Sequence, residues 1–255
     1  MANIKENAKP YFFDNGSKTL ALLVHGFTGS PHDLLELAQF LAGKGITVKA
    51  PLLAGHGSAW QDLENCTAYD WWKVVDEEVK WAQGKFDKIF LVGYSFGANL
   101  SFDMAVRYPN QINGIVALGI SIFLHKNFII KKIGLPLVHF FSGHYRKDHI
   151  KPEHIPEYEN NGCYSIVPTA ALKEFYRFIE QYTQKELSQV KVPTLFIHSR
   201  DDDVTHPLSS QYAYDRLGSH QKELLFLDEL NHNPLESKRK NFIFTRIWEF
   251  INSLQ

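Results

Sequence analysis

Gly93-Tyr94-Ser95-Phe96-Gly97 holds a serine between glycines, with the apolar run Ile89-Phe90-Leu91-Val92 directly before it and a helix-like segment directly after. A strand, a sharp turn and a helix in that order push a hydroxyl out at the top of a sheet. The turn is so cramped that its flanking positions tolerate little beyond glycine. The three fixed positions alone recur by chance in roughly one chain in ten of this length, so the surrounding residues decide. A serine hydroxyl is a weak nucleophile at neutral pH. It needs an imidazole to take its proton, and the imidazole is held in one tautomer by a carboxylate. On such a sheet the partners follow in the order Ser, Asp, His, each on a loop at a strand's carboxyl end. His232, in Asp228-Glu229-Leu230-Asn231-His232-Asn233-Pro234, comes immediately after the last predicted strand. The carboxylate lies in Ser199-Arg200-Asp201-Asp202-Asp203-Val204, after the penultimate strand, and residue type alone leaves the three aspartates open. A tetrahedral intermediate also needs two backbone N–H donors aimed at its oxyanion. Phe96, the residue after the nucleophile, offers one, and Phe27, following His25-Gly26, the other.

The elements that must position these residues alternate along the chain. Leu20 to Val24 is a short apolar run that delivers His25-Gly26-Phe27-Thr28-Gly29, the pattern of a buried parallel strand feeding a glycine-containing loop. A helix follows, with Ser30 as N-cap, Pro31 as its first residue and Asp33 as a favourable charge in its first turn; it stops at Gly43. Ile46 to Ala50 is the next strand, ahead of the turn-rich Pro51 to Ser58. Tyr69 to Gln83 carries Trp72, Val75 and Val79 at helical spacing, a core-facing stripe. Phe96 to Tyr108 is helical and Gly114 to Gly119 apolar. Alternation resumes with strand Thr194 to His198, helix Pro207 to Leu217, strand Glu223 to Leu227 and a closing helix, Ser237 to Leu254. This order predicts an α/β fold, a mostly parallel sheet with helices on both faces and function at the carboxyl ends of the strands.

Between Ser121 and Val190 the alternation breaks for longer than a structureless loop in a compact domain allows. The organisation expected is therefore a core of residues 1–120 and 191–255 with an inserted cap, 121–190. Two helical pieces are predicted in it, Phe123 to Phe141 and Pro168 to Gln184. The apolar residues of the first, Ile130, Leu137 and Phe141 among them, are expected to wall a substrate pocket and to allow transient lipid contact. Lys126, Lys131, Lys132 and Pro136 exclude an ordinary transmembrane span there.

A chain of 255 residues, 44% hydrophobic, can bury a full core, and a formal net charge of -1 gives no basic field for nucleic acid. The first ten residues carry no apolar stretch of the secretory kind, which points to a cytoplasmic protein. Cys66 and Cys163 lack metal-ligand spacing and read as reduced thiols. His144, His149 and His154 keep no common helix face and have no carboxylate or cysteine companion at ligand spacing, so neither metal nor cofactor is expected. Trp60 is compatible with a pocket wall or a surface cover.

The motifs His25-Gly26-Phe27-Thr28-Gly29, Gly55-His56-Gly57, Gly93-Tyr94-Ser95-Phe96-Gly97, Asp202-Asp203-Val204 followed by Pro207, and His232 span nearly the whole chain. They resemble an α/β-hydrolase of the carboxylesterase and monoacylglycerol lipase group. In that group the acid lies just ahead of an apolar residue and a nearby proline, which selects Asp202. Ala98 stands where a second glycine often follows the elbow, and the chain has only His25-Gly26 where another branch has an HGGG loop. The resemblance implies a serine hydrolase acting on small-molecule carboxylic esters with an apolar acyl group, through an acyl-enzyme on Ser95. A thioesterase or acyltransferase would use the same triad, and a non-catalytic binding protein of this fold would have lost a member of it.

Overall fold

The computed structural model describes residues 3–125, 143–148, 150–228 and 232–255. Seven strands form the main sheet: β1 (Tyr11–Phe13), β2 (Thr19–Val24), β3 (Thr47–Ala50), β4 (Lys88–Tyr94), β5 (Ile112–Leu118), β8 (Thr194–Ser199) and β9 (Lys222–Leu227). Their order is β1-β3-β2-β4-β5-β8-β9. β1 runs antiparallel to β3, and the remaining pairs are parallel. This is the α/β-hydrolase arrangement. Every residue of β2 and of β8 is buried, as is all of β4 after Lys88, because helices cover both faces. A strand with two dry faces has no polar side to show, hence the unbroken apolar runs in the sequence.

One face packs against the helices Ala68–Ala82 and Phe96–Arg107; the other packs against Leu35–Gly43 and Lys240–Asn252. Each leucine or phenylalanine sealed here contributes about 1.5–3 kcal/mol. On Ala68–Ala82 the buried stripe is Trp71, Val75, Val79 and Ala82 rather than one led by Trp72. Both tryptophans satisfy helical spacing. Trp71 turns inward onto Phe27 and Phe96, at ring distances of 5.6 Å each. Trp72 stays half-buried, where its indole N–H reaches the Asp103 carboxylate at 2.6 Å.

Ser30 caps as expected, but the first turn, Pro31–Leu34, is a 3-10 turn before the α-helix proper. β1 lies outside the sequence expectations, since three residues are too few to show a period. In the segment 121–190, β6 (His144–Arg146) pairs antiparallel with β7 (Ile166–Pro168), and a short helix, Ile155–Asn160, lies between them. The predicted helix from Pro168 is present as Thr169–Phe178 and then widens into a π turn, Ile179–Thr183. Val167, Leu172, Phe175 and Phe178 join the same core as the sheet face beneath. The helix predicted from Phe123 to Phe141, with Ile130, Leu137 and Phe141, falls almost wholly on residues 126–142 and so lies outside the described residues. Among the described residues no helix is long and apolar enough to cross a membrane.

Candidate active site

β4 ends at Tyr94 and a helix begins at Phe96, leaving Ser95 alone in the turn with φ +53° and ψ −118°. Few non-glycine residues adopt a positive φ, and such a residue stores about 1–3 kcal/mol that its surroundings must offset. The offset is visible in the neighbours. Ser95 N donates to Leu118 O at 2.7 Å, tying the elbow to β5. A Cβ at Gly93 would overlap the backbone of Ala98, and one at Gly97 the carbonyl group of Val24. The two glycines therefore let the helix sit hard against the sheet, with its N-terminal dipole under the serine.

His232 Nε2 lies 3.1 Å from Ser95 Oγ, and its Nδ1 lies 2.8 Å from Asp202 Oδ2. A carboxylate only accepts, so Nδ1 carries the hydrogen and Nε2 is left to take a proton from the serine. Asp202 is buried while Asp201 and Asp203 are exposed. Its Oδ1 accepts from the amides of Val204 and Thr205, both at 2.8 Å, and its Oδ2 also accepts from Thr205 Oγ1 at 2.8 Å. Burial alone would push this carboxyl up; hydrogen bonds from His198 and His232 outweigh that and hold it far below the ordinary carboxylate range. The group is a fixed negative charge behind the imidazole.

The loop after β2 brings Gly26 against the serine, where an added Cβ would meet Ser95 Cβ at 3.1 Å. Phe27 follows it, and Phe96 opens the helix, where no carbonyl one turn earlier can satisfy its amide. Thr28 has φ +64°, and its N–H donates to His56 Nε2 at 3.1 Å, while Leu53 N donates to His25 Nε2 at 3.1 Å. Both imidazoles are stripped of water, which drives His56 down to about 4 and His25 well below its usual value. They are neutral clamps on this loop.

Ser95 and His232 open into a cavity of about 580 Å³. Phe27, Leu124, Val167, Leu172 and Phe175 supply apolar wall; Asp33, Lys147, Tyr158, Asn233 and Glu236 supply polar wall. Lys147 Nζ donates to Tyr158 Oη at 2.9 Å, and burial lowers the ammonium to about 8 against the pull of Cys163 and Asp33. The Cys163 thiol, pushed well up by burial and by Asp33, is no nucleophile. Trp60 lies in a separate depression and packs at a tilt against His144, ring centroids 4.6 Å apart. Among the described residues no group of His, Cys, Asp and Glu is placed to hold a metal; His149 lies outside them.

Two polar neighbours of the site were absent from the sequence expectations. Ser121 Oγ is 2.9 Å from Ser95 Oγ, and His198 Nε2 is 3.2 Å from Asp202 Oδ2. Their only signals were positional: Ser121 follows the end of β5, and His198 interrupts the apolar run of β8.

The family model described as "Serine aminopeptidase, S33" matches residues 16–238. A thermostable monoacylglycerol lipase from a Bacillus species is 30% identical over 97% of this chain and 95% of its own. A carboxylesterase from Bacillus subtilis is 26% identical over 96% of this chain and 97% of its own. A solved structure from LipS and LipT, two metagenome-derived lipolytic enzymes, superposes with a TM-score of 0.86 at 28% identity, covering 98% of this chain and 100% of the other. The chain belongs to the serine aminopeptidase S33 family of α/β-hydrolases and is a serine hydrolase.

Proposed function

We propose that the protein hydrolyses carboxylic esters with an apolar acyl group, with Ser95 as nucleophile, His232 as general base and then acid, and Asp202 as the residue that orients the imidazole. The observation that carries this reading is the continuous hydrogen-bonded line from Asp202 through His232 to Ser95, opening on a cavity lined by both apolar and polar side chains. Ser95 attacks the ester carbonyl, and the amides of Phe27 and Phe96 receive the oxyanion. His232 protonates the departing alcohol, and a water activated by the same imidazole releases the acid. The acyl chain lies along Val167, Leu172 and Phe175. The alcohol faces Lys147, Tyr158 and Asn233, a wall suited to hydroxyl groups, in keeping with a relative named for monoacylglycerol. In this reading 121–190 is the cap, and any transient lipid contact runs through it. Cys66 and Cys163, both unbridged, fit the reducing conditions of a cytoplasm.

The test is a panel of p-nitrophenyl and glyceryl esters of graded acyl length, beside acyl-CoA and aminoacyl anilide substrates. The reading expects kcat/KM to rise severalfold per two carbons, at about 0.8 kcal/mol per buried methylene, and then to stop when the pocket is full. A preference for acyl-CoA would move the reaction to thioesters. A preference for anilides would move it to peptides.

A further inference from the structure

Asp202 is shared between two imidazoles. His198, on β8, is fully buried, and its Nε2 lies 3.2 Å from the same Oδ2 that His232 Nδ1 approaches at 2.8 Å. Nε2 also faces the Thr205 carbonyl oxygen at 3.2 Å. A carboxylate and a carbonyl can only accept, so Nε2 carries a hydrogen. On the other side, Nδ1 is 2.7 Å from the hydroxyl of Ser210, which is also fully buried and can either donate to it or accept from it. With both nitrogens engaged, the ring has one orientation, and the carboxylate it touches cannot turn freely.

We propose that His198 is a positioning residue for the reaction, its Nε2–H fixing Asp202 and setting the pH at which His232 becomes a base. The inference rests on the reading of His232 as that base. A hydrogen bond donated to a carboxylate draws on its negative charge, and the imidazolium across from it then loses part of its stabilisation. Removing the His198 donor therefore leaves Asp202 a stronger partner for protonated His232.

Other titratable groups face the pair from the surrounding elements. Tyr94, at the end of β4, packs at a tilt against His232 with ring centroids 5.3 Å apart, and Asp33 and Glu236 act on Tyr94 through space. His125, after β5, bonds the backbone carbonyl of Asp202 at 2.7 Å, with His206 beside it at 5.1 Å. Asp201 and Asp203 flank Asp202 in the chain. Among the described residues, only His198 and His232 bring a titratable ring onto the carboxylate oxygens.

The experiment is kcat/KM against pH for the wild type, His198→Gln and His198→Leu, with ¹⁵N NMR of the wild-type imidazoles. Glutamine keeps a donor at this position and leucine removes it. The acid limb of His198→Leu is expected to move to higher pH by about 0.5–1 unit, a threefold to tenfold loss of kcat/KM below the limb. That of His198→Gln is expected within about 0.2 unit of the wild type. The wild-type spectrum should keep the His198 hydrogen on Nε2 throughout the range in which His232 titrates. An unmoved limb in a folded leucine variant, an equal shift in both variants, or an Nε2 without hydrogen overturns the proposal. If the leucine variant does not fold, the glutamine limb and the wild-type tautomer decide. A limb that persists in His232→Ala would instead overturn the reading of His232 as base.

Discussion

Two pairs of histidines flank Ser95, and the protein holds them in opposite ways. His25 and His56, with ring centroids 5.0 Å apart, are tied to the backbone alone: each accepts an amide N–H through Nε2 and turns Nδ1 to a carbonyl oxygen at 2.9 Å. Such a ring has no stable place for a second proton, and it serves as a rigid strut for the loop that carries Phe27. His198 and His232 instead converge on the Asp202 carboxylate. Of these two, His232 keeps 16% of its side chain exposed to the cavity, whereas His198 is sealed. In the roles proposed above, one side chain type yields a strut, a proton carrier and a positioning group, according to whether it meets a carboxylate and whether it meets solvent.

Breaking the proton-carrying side of this contrast should have the largest effect. Ser95→Ala and His232→Ala are each expected to lower kcat by roughly 10⁴ to 10⁶ in a steady-state assay with a p-nitrophenyl ester, with folding unchanged by circular dichroism. Asp202→Asn should cost on the order of 10⁴, because the amide presents a donor where the imidazole needs an acceptor. Asp201→Asn and Asp203→Asn, both exposed, should cost less than about threefold. Equal small losses at all three positions would remove Asp202 from the mechanism.

The strut pair should show itself in stability. The folded-state value of His56, about 4, lies below the usual 6.5, so the unfolded chain takes up the proton first as the pH falls. Stability is then complete above pH 6.5 and declines toward pH 4, by up to about 3 kcal/mol from His56 if it titrates alone, with His25 acting in the same direction. Urea unfolding at a series of pH values should show this slope in the wild type and a shallower one in His56→Gln. The smallest effect concerns the cavity wall. Leu172→Phe should shorten the preferred acyl chain by about one or two carbons and leave acetate hydrolysis within about twofold. An unchanged chain-length profile would place the acyl group elsewhere.

Much of this was legible in the sequence because a doubly covered parallel sheet writes its strands as apolar runs and puts its chemistry on the loops after them. Ser95, Asp202 and His232, read in that way, are brought into one hydrogen-bonded line. The choice of Asp202 among three aspartates came from resemblance. What physically separates it is burial and a local turn that points the Val204 and Thr205 amides at Oδ1, and residue type does not record that. His198 and Ser121 were hidden for a related reason: a buried polar residue at or just after the end of a strand looks the same whether its partner is a backbone group or a side chain of the site. Trp71 and Trp72 differ by one position on a helix, too fine for spacing to resolve. The polar wall was the least legible, since Asp33, Lys147, Tyr158 and Glu236 come from distant parts of the chain and meet only in the fold.

The central claim, that Ser95 carries the acyl group of an ester substrate, is tested most directly by rapid acid quench during turnover of a p-nitrophenyl ester, followed by mass spectrometry of the peptides. The account predicts an initial burst of p-nitrophenol and the mass of the acyl group on the peptide containing Ser95, both absent from Ser95→Ala. An acyl group on any other residue, or turnover surviving in Ser95→Ala, would contradict it.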